Sequence, residues 1–464
     1  MSEASFPQEW VKCTIGDACA LNPKEKLPDN LDVGFMPMAG VPTNHFGTCN
    51  FETRPWEKVK KGFTQFKNGD VIFAKITPCF ENSKAAIIRD FPSGWGAGST
   101  EYYVLRPYGD LVRPEILFAL IKSKEFLVSG AVNMSGSVGH KRVPKDFVSG
   151  YELPLPPFAE QKVIADKLDA LLAQVDNTKA RLERIPKILK RFRQSVLAAA
   201  VSGRLTDEWR RGRPNNPSWV ALRLGALIKN GPQNGIYKPL KLYGSGSLII
   251  RIDSFYDGQI SCWGKLKRVK IEAAEIEKWQ VHQGDLLINR VNSIEYLGKS
   301  ALVGELSEPA VFESNIMRLS LDRAKAAPEF ISLFLRSPAG IAQLRSNAKL
   351  AVNQASINQG DVKNCSMELP GLDEQTEIVR RVDQLFVHAD HLEQQVNNAM
   401  ARVGNLTQSI LTKAFRGELT EQWRENNPEL ISGDNSAAAL LEMIKSERAA
   451  VKPVKKTRSK RTTV

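Results

Sequence analysis

Two long stretches of the chain carry apolar residues at steps that alternate between four and three. In the first, only Thr178 is polar; the second is apolar throughout. Such spacing holds one face of a helix against a partner helix, which is typical of a coiled coil. The first seam is Ile164, Leu168, Leu171, Val175, Thr178, Leu182, Ile185, Leu189, Phe192 and Val196. The second is Ile378, Val382, Leu385, Ala389, Leu392, Val396, Ala399, Val403, Leu406 and Ile410.

We expect the two helices to pair antiparallel, because each follows a globular segment and each offers the other a matching seam. This arrangement would place the globular segments at opposite ends. From residue 164 to 196 the helix would span about 50 Å at ~1.5 Å per residue. Pro186 removes a backbone hydrogen bond and predicts a kink there, whereas the second copy has Met400.

The segments before the helices contain short β-rich runs bounded by Gly, Asn, Pro and Ser, together with two helical stretches. The clearest runs are 70–76, 101–107, 247–253, 284–290 and 315–321, and the helical stretches are 114–131 and 328–347. The predicted fold class is therefore α+β. Two mixed α/β domains are separated by two long helices that form an antiparallel coiled coil.

A repeat organises the whole chain. Residues 155–214 align without gaps on 369–428, with 18 of 60 positions identical, and "GRLTDEWR" (203–210) returns as "GELTEQWR" (417–424). The globular segments match more weakly, through Gly69, Asp70, Lys75 and Lys84 against Gly284, Asp285, Arg290 and Lys299. The predicted division is head 1 (1–150), helical region 1 (151–216), head 2 (217–366), helical region 2 (367–430) and a basic tail (431–464).

Charge and composition narrow the range of partners. The chain has 64 Lys and Arg against 51 Asp and Glu, a net charge of +13, which suits a polyanionic partner without identifying one. The last 14 residues, 451–464, read as a solvated end, with an auxiliary nucleic-acid or partner contact as the alternative. Apolar runs are too short for a membrane span and no signal pattern begins the chain, so we expect a cytoplasmic protein without a membrane partner.

The motifs of familiar enzymes are missing from the sequence. "YLGKS" (296–300) ends like a phosphate-binding loop, but Ser293 stands where the first glycine is required. No nucleophile elbow, zinc-protease motif or methyl-donor fingerprint occurs. The six cysteines and five histidines form no cluster with metal-ligand spacing, so no metal site is expected. The sequence favours a protein that binds and positions over one that catalyses.

The repeated blocks resemble the specificity (S) subunits of type I restriction–modification enzymes, and most closely the type IA branch. The resemblance covers essentially the whole chain. It is carried by "LPLPPFAEQKVIADKLDALLAQVD", "RFRQSVLAAAVSGRLTDEWR", "EQTEIVRRVDQLF", "NNAMARVGNLTQSILTKAFRGELTEQWR" and "TPCFENSKAA". The heads match only in plan.

The resemblance implies that each head is a target-recognition domain for one part of a split, asymmetric site in double-stranded DNA. The helices would set the spacer and dock two methyltransferase (M) subunits, which restriction (R) subunits then join. No cofactor is expected in this chain. S-adenosylmethionine, ATP and Mg²⁺ would belong to the partner subunits.

Base reading favours Arg and Lys for guanine and Asn and Gln for adenine, presented on loops. The candidate DNA-binding residues are Lys75, Lys84, His140, Lys141, Arg142, Arg290, Asn292, Lys349, Asn353 and Gln354. A solvated surface turn is the alternative for each loop. The Gly-Asp turns, with Asp70 and Asp285, are predicted to be architectural caps.

The repeated "GxLTxxWR" motif is predicted to close each helical region, with Thr206 and Thr420 as local caps. Trp209, Arg210, Trp423 and Arg424 are the candidate partner-binding residues, and burial of the rings within the chain is the alternative. A stand-alone two-headed DNA-binding regulator or adaptor also stays open. It would bind its site without a methyltransferase partner.

Overall fold

The computed structural model describes residues 6–137, 139–213, 217–260, 263–352 and 354–451. The chain forms two compact units. Unit 1 comprises the residues up to Leu182 together with those from Asn398 onward, and unit 2 is Glu183–Asn397. Each unit therefore combines one head with parts of both helical regions.

Head 1 is built from three small sheets and short helices. Its strands are β1 (Val11–Thr14), β2 (Cys19–Leu21), β3 (Asp32–Met36), β4 (Glu52–Pro55), β5 (Thr64–Lys67), β6 (Val71–Ala74), β7 (Ala85–Ile87), β8 (Trp95–Gly98), β9 (Tyr102–Pro107) and β10 (Glu152–Leu155). Its helices are α1 (Ile15–Ala18), α2 (Trp56–Val59), α3 (Pro114–Lys122), α4 (Lys124–Val132) and α5 (Lys145–Gly150). The sheet orders are β2-β9-β6-β7, β4-β3-β8-β5 and β1-β10.

The central strand β6 shows why head 1 has two layers of core. All four of its residues are buried. Val71 and Phe73 join the main core with Phe126, while Ile72 joins a second cluster with Phe66. A strand covered on both faces requires a continuous apolar run, and "VIFA" supplies one.

The first helical region contains α6 (Phe158–Leu182), α7 (Ile185–Val201) and α8 (Asp207–Arg211). The kink expected at Pro186 is a complete break, because α6 ends before Glu183 and α7 begins at Ile185. Pro186 lies in the first turn of α7, where its missing N–H costs no helical hydrogen bond.

Head 2 repeats the plan. Its strands are β11 (Val220–Arg223), β12 (Ile228–Asn234), β13 (Tyr243–Ile250), β14 (Phe255–Tyr256), β15 (Gly258–Ile260), β16 (Lys267–Val269), β17 (Leu286–Asn289), β18 (Val291–Asn292), β19 (Ser300–Leu302), β20 (Ala310–Phe312), β21 (Ile316–Leu321), β22 (Lys349–Ala351), β23 (Gln354–Ser356) and β24 (Ser366–Leu369). Its helices are α9 (Ala273–Trp279), α10 (Pro328–Arg336), α11 (Pro338–Arg345) and α12 (Gln359–Lys363). The sheet orders are β12-β21-β17-β19-β15-β14, β16-β13-β20, β18-β23-β22 and β11-β24.

The second helical region is dominated by α13 (Leu372–Phe415), which α14 (Glu421–Asn426) and α15 (Ala437–Val451) follow. In unit 1, Ile164 and Leu168 of α6 share a core with Ile410 and Ala414 near the end of α13. In unit 2, residues near the end of α7 share a core with residues near the start of α13, Val196 and Leu197 with Ile378 and Val382. The helices of the two regions therefore pair antiparallel within each unit, as predicted.

The seams are only partly covered by this pairing. Phe192, Leu392 and Leu406 are 38%, 49% and 47% exposed, although the 4-3 pattern predicts that they face a helix. None of the helices among the described residues is both long and apolar enough to cross a membrane.

The segment after α14 differs from the predicted basic tail. Residues 437–451 form α15, whose Leu440 and Ile444 are buried in the core of head 1. Arg448 donates to Asp17 at 2.6 Å, which ties the end of α15 to α1. Residues 452–464, which hold the tail's Lys and Arg cluster, lie outside the described part of the chain.

Candidate functional site

One edge of the sheet β2-β9-β6-β7 collects polar residues of head 1. Because β6 runs antiparallel to both β7 and β9, the end of β6 meets the beginnings of its two neighbours. Lys75 follows β6, Glu101 precedes β9 and Lys84 precedes β7. The Lys75 N–H donates to the Glu101 carbonyl at 2.9 Å, and the Ala74 N–H donates to the Lys84 carbonyl at 2.9 Å.

The loop that carries His140, Lys141 and Arg142 joins this edge. Arg142 forms β-bridges with Ile76 and with Ser135. Its guanidinium donates to both carboxylate oxygens of Glu101, from Nη2 at 2.8 Å and Nε at 2.9 Å. The loop is therefore fastened to the sheet by backbone pairing and by one fork-shaped ion pair.

Glu101 is not among the DNA-binding residues predicted from the sequence. The Arg142 hydrogen bonds lower the pKa of its carboxyl, with further contributions from Lys75 and His140. Glu101 therefore stays ionised and orients the guanidinium, which remains 46% exposed. An oriented, accessible arginine is suited to binding a guanine edge or a phosphate.

The other predicted DNA-binding residues of head 1 differ from one another in exposure and in their contacts. The Lys75 ammonium lies 5.3 Å from the ring centre of Tyr103 and is half-buried. The Lys84 ammonium donates to the Met38 carbonyl at 2.8 Å, so the structure gives it a bond within the head. His140 and Lys141 are exposed.

The corresponding candidates of head 2 come together on the small sheet β18-β23-β22. Asn292 lies on β18, Gln354 on β23 and Lys349 on β22. Lys349 and Gln354 are exposed, and Asn292 is half-buried. The prediction for Asn353 falls outside the described residues.

Arg290 occupies the place of Lys75, directly after β17. Its Nη1 donates to the Ser314 carbonyl at 3.2 Å, and its buried Nε has no hydrogen-bond partner among the described residues. Lys299, the counterpart of Lys84, donates to the Ile252 carbonyl at 3.0 Å and lies 3.9 Å from the ring centre of Tyr256. In both heads, the second basic residue of the pattern therefore donates to a backbone carbonyl elsewhere in the same head.

The Gly-Asp turns are architectural, as predicted. Asp70 accepts from the Lys67 N–H at 2.7 Å and from two nitrogens of Arg106, each at 2.7 Å. Asp285 accepts from the His282 N–H at 2.8 Å. Both carboxylates are buried, and burial raises the pKa of each despite these bonds.

A buried polar cluster in unit 1, here called node 1, surrounds the carboxylate of Glu160. This fully buried side chain accepts from Trp10 Nε1 at 2.8 Å, from Thr420 Oγ1 at 2.5 Å and from Arg424 Nη1 at 2.7 Å. Arg424 also donates to the Gly417 carbonyl at 2.9 Å. Node 1 thus joins head 1, the start of α6 and the second "GxLTxxWR" motif.

Node 2 in unit 2 repeats the cluster with the first motif. Glu374 accepts from Thr206 Oγ1 at 2.8 Å and from Trp219 Nε1 at 3.1 Å, and Arg210 Nη1 lies 3.2 Å from its Oε1. Each motif therefore closes on the glutamate of the other copy. Each copy of the motif therefore has a structural role of its own within the chain.

Two details of the motif differ from expectation. Thr206 and Thr420 occupy N-cap positions, but their hydroxyls bind the node glutamates and make no cap hydrogen bond. Trp209 and Trp423 are half-buried, with the Arg213 guanidinium 4.2 Å from the Trp209 ring centre. Arg210 and Arg424 are engaged in the nodes, and a role of the four residues in partner binding stays a prediction.

The node glutamates were not predicted from the sequence, although the repeat contains a signal for them. Glu160-Gln161 and Glu374-Gln375 are identical polar pairs at the same repeat position, and all four side chains are buried. Gln161 accepts from the Arg113 N–H at 2.9 Å, and Gln375 accepts from the Ala327 N–H at 2.7 Å. Among the described residues, no group of His, Cys, Asp and Glu is arranged to hold a metal ion.

Comparison with known proteins finds one protein family whose model matches the chain twice. The family model described as "Type I restriction modification DNA specificity domain" matches residues 7–187 and 235–402, one match for each head with its helix. The chain belongs to the type I restriction–modification specificity family. Its relatives include the type I restriction enzyme StySPI specificity subunit of Salmonella potsdam, 49% identical over 99% of this chain and the whole of that protein. The EcoKI specificity subunit of Escherichia coli K12 is 46% identical over the same shares of the two chains.

Solved structures agree at the level of fold. A chain from a study of complex assembly and conformational transition of the type I R-M system superposes with a TM-score of 0.70. It is 21% identical, and the match covers 89% of this chain and 99% of that one. The HsdS subunit of Thermoanaerobacter tengcongensis gives a TM-score of 0.59 at 20% identity, over 90% and 99%. This type I specificity subunit therefore has the α+β fold with paired long helices that its sequence predicts.

Proposed function

We propose that this type I specificity subunit reads a bipartite, asymmetric site in double-stranded DNA, with one head on each part. The observation that carries the proposal is the different chemistry at equivalent places of two similar heads. The edge of head 1 presents Arg142 beside Glu101, whereas the edge of head 2 presents Arg290 and the ribbon with Asn292 and Gln354. Equivalent scaffolds with unlike side chains suit two unlike base sequences.

We further propose that the paired helices set the spacer and dock two methyltransferase subunits. Exposed apolar side chains on these helices support a docking role, since water-exposed apolar groups favour burial in a partner. They include Ile188 at 59%, Val387 at 65% and Leu392 at 49% in unit 2, and Leu406 at 47% in unit 1. The nodes support two equivalent sites, because each unit contains the same motif in the same contacts.

In this proposal the chain itself catalyses nothing. Methyl transfer with S-adenosylmethionine and restriction with ATP and Mg²⁺ belong to the partner M and R subunits. The duplicated recognition architecture supports this division, because the recurring polar clusters of the two units serve to join head, helix and motif.

Co-purification with the methyltransferase subunit of the same system tests the proposal. We expect a stable complex of two methyltransferase chains with one specificity chain, and protection of two separated parts of a DNA site selected from a random pool. A monomer that binds the same site fully without a methyltransferase would favour the stand-alone regulator. Methyl transfer by the purified chain alone would contradict the non-catalytic role.

A further inference from the structure

The ribbon of head 2, formed by β22 and β23, carries two large apolar side chains that are almost fully in water. Val352 is 91% exposed and Leu350 is 74% exposed. Apolar side chains of this size are stabilised by burial, so their presentation on a projecting ribbon indicates a surface that becomes covered in a complex.

The ribbon is held in a defined register. Leu350 pairs with Ala355, which in turn pairs with Asn292 of β18, so these three side chains share one face. Ala355 is buried and anchors the ribbon to the core of head 2, whereas Leu350 on the edge strand extends beyond that core. Lys349 and Gln354 lie on the opposite face.

This combination fits the major groove of DNA better than a protein surface. A two-stranded ribbon has the width of the groove, and the thymine C5-methyl group is the apolar feature on its floor. Lys349 supplies a positive charge for a phosphate, while Asn292, on the same face as Leu350, supplies an amide that suits adenine, the partner of thymine.

The corresponding loop of head 1 has a different chemistry. It presents the exposed polar residues His140, Lys141 and Arg142, with Gly136 and Gly139 at positive φ. Within the described parts of the two loops, strongly exposed apolar side chains therefore occur on the loop of head 2 only.

We propose that Leu350 and Val352 contact thymine methyl groups in the part of the site that head 2 reads. The inference rests on the proposed function and adds the chemical feature that determines specificity. Both residues are exposed in the free chain, so alanine replacements leave the core intact.

Replacement of thymine by deoxyuridine tests the contact, because it removes only the methyl group. The complex with its methyltransferase is assayed on a duplex selected from a random pool, and the part read by head 2 is assigned by its response to Arg290→Ala. Deoxyuridine there should weaken binding of the unaltered complex about fourfold for each contacted methyl. The double variant Leu350→Ala/Val352→Ala should bind the thymine and deoxyuridine duplexes equally.

Val220→Ala is the matched control, since Val220 is 56% exposed on β11 of the same head but belongs to another sheet. It should keep the full response to deoxyuridine. The inference is overturned if the unaltered complex ignores deoxyuridine in this part, or if the double variant responds as strongly as the unaltered complex. Loss of all sequence-specific binding in the unaltered complex would instead overturn the proposed function, and this inference with it.

Discussion

At the scale of single residues, the nodes show how one buried carboxylate can hold three segments together. Glu160 is fully buried and its partner Arg424 has an 11% exposed side chain. Glu160→Ala leaves this arginine without its charge partner, and removal of one member of such a pair typically costs about 3–5 kcal/mol. Glu374→Ala should cost less, because the Arg210 side chain is 29% exposed and water can solvate it. Urea unfolding of both variants checks the order, and an equal or reversed effect would contradict it.

Arg142 and Arg290 are predicted to act on different parts of the DNA site. Alanine at either position should cost about 1–3 kcal/mol of binding if the guanidinium reads a base, and only for the part read by its own head. Binding to duplexes altered in one part at a time measures this separation. Arg89→Ala provides the control, because Arg89 is an exposed arginine of head 1 paired with Glu115. A loss that is uniform over all duplexes would indicate a phosphate contact instead.

His45 links the stability of unit 1 to pH. Burial, with the nearby cations Lys122 and Arg89, lowers its pKa from 6.5 to about 4, although Asp169 Oδ1 lies 3.8 Å from its Nε2. Between pH 6.5 and about 4, the unfolded chain therefore binds a proton at His45 that the folded unit does not bind. The contribution of His45 to the free energy of unfolding is fully present above pH 6.5 and is lost as the pH drops toward 4. The loss from this group approaches about 3 kcal/mol. His45→Gln should flatten this part of the pH profile of urea unfolding, and a profile that this replacement leaves unchanged would contradict the role of His45.

At the scale of elements, the periodicity of apolar residues predicts the long helices but not the buried polar nodes beside them. The 4-3 seams identify both long helices and their antiparallel pairing, because a helix-facing stripe is a local property of the sequence. Node 1 depends on Trp10 and Thr420, which are far apart in the chain and bind the same Glu160 carboxylate only in the folded unit. Of the candidate site, the repeat predicts that Lys75 and Lys84 correspond to Arg290 and Lys299. The contact between Glu101 and Arg142 depends on a turn conformation that local sequence does not determine.

The helix α15 tests how far a short terminal element stabilises one head. Ile444 is fully buried against head 1, and Met443 beside it is 45% exposed. Ile444→Ala should lower the free energy of unfolding by about 2–5 kcal/mol, through lost burial and the cavity left behind. Met443→Ala should change it by less than about 0.5 kcal/mol. Urea unfolding measures both, and equal effects would show that α15 does not contribute to the core.

At the scale of the whole molecule, the crossed nodes tie each head to the motif of the other copy, and this governs how heads can be exchanged. A head exchange that also replaced Trp10 or Glu160 would break node 1. A folding defect could then not be distinguished from a change of DNA specificity. The junctions therefore belong within β1 and β10, whose pairing brings the two ends of the exchanged segment together and leaves Trp10 and α6 in place.

With these junctions, head 1 of a relative with another target should change only one part of the recognised site. The other part and the spacer should stay the same, because head 2, both nodes and the paired helices are unaltered. Sequencing of methylated sites in cells that carry the hybrid with its methyltransferase reads both parts at once. A simultaneous change in both parts would mean that the heads do not read DNA independently, and the modular account of this duplicated chain would then be wrong.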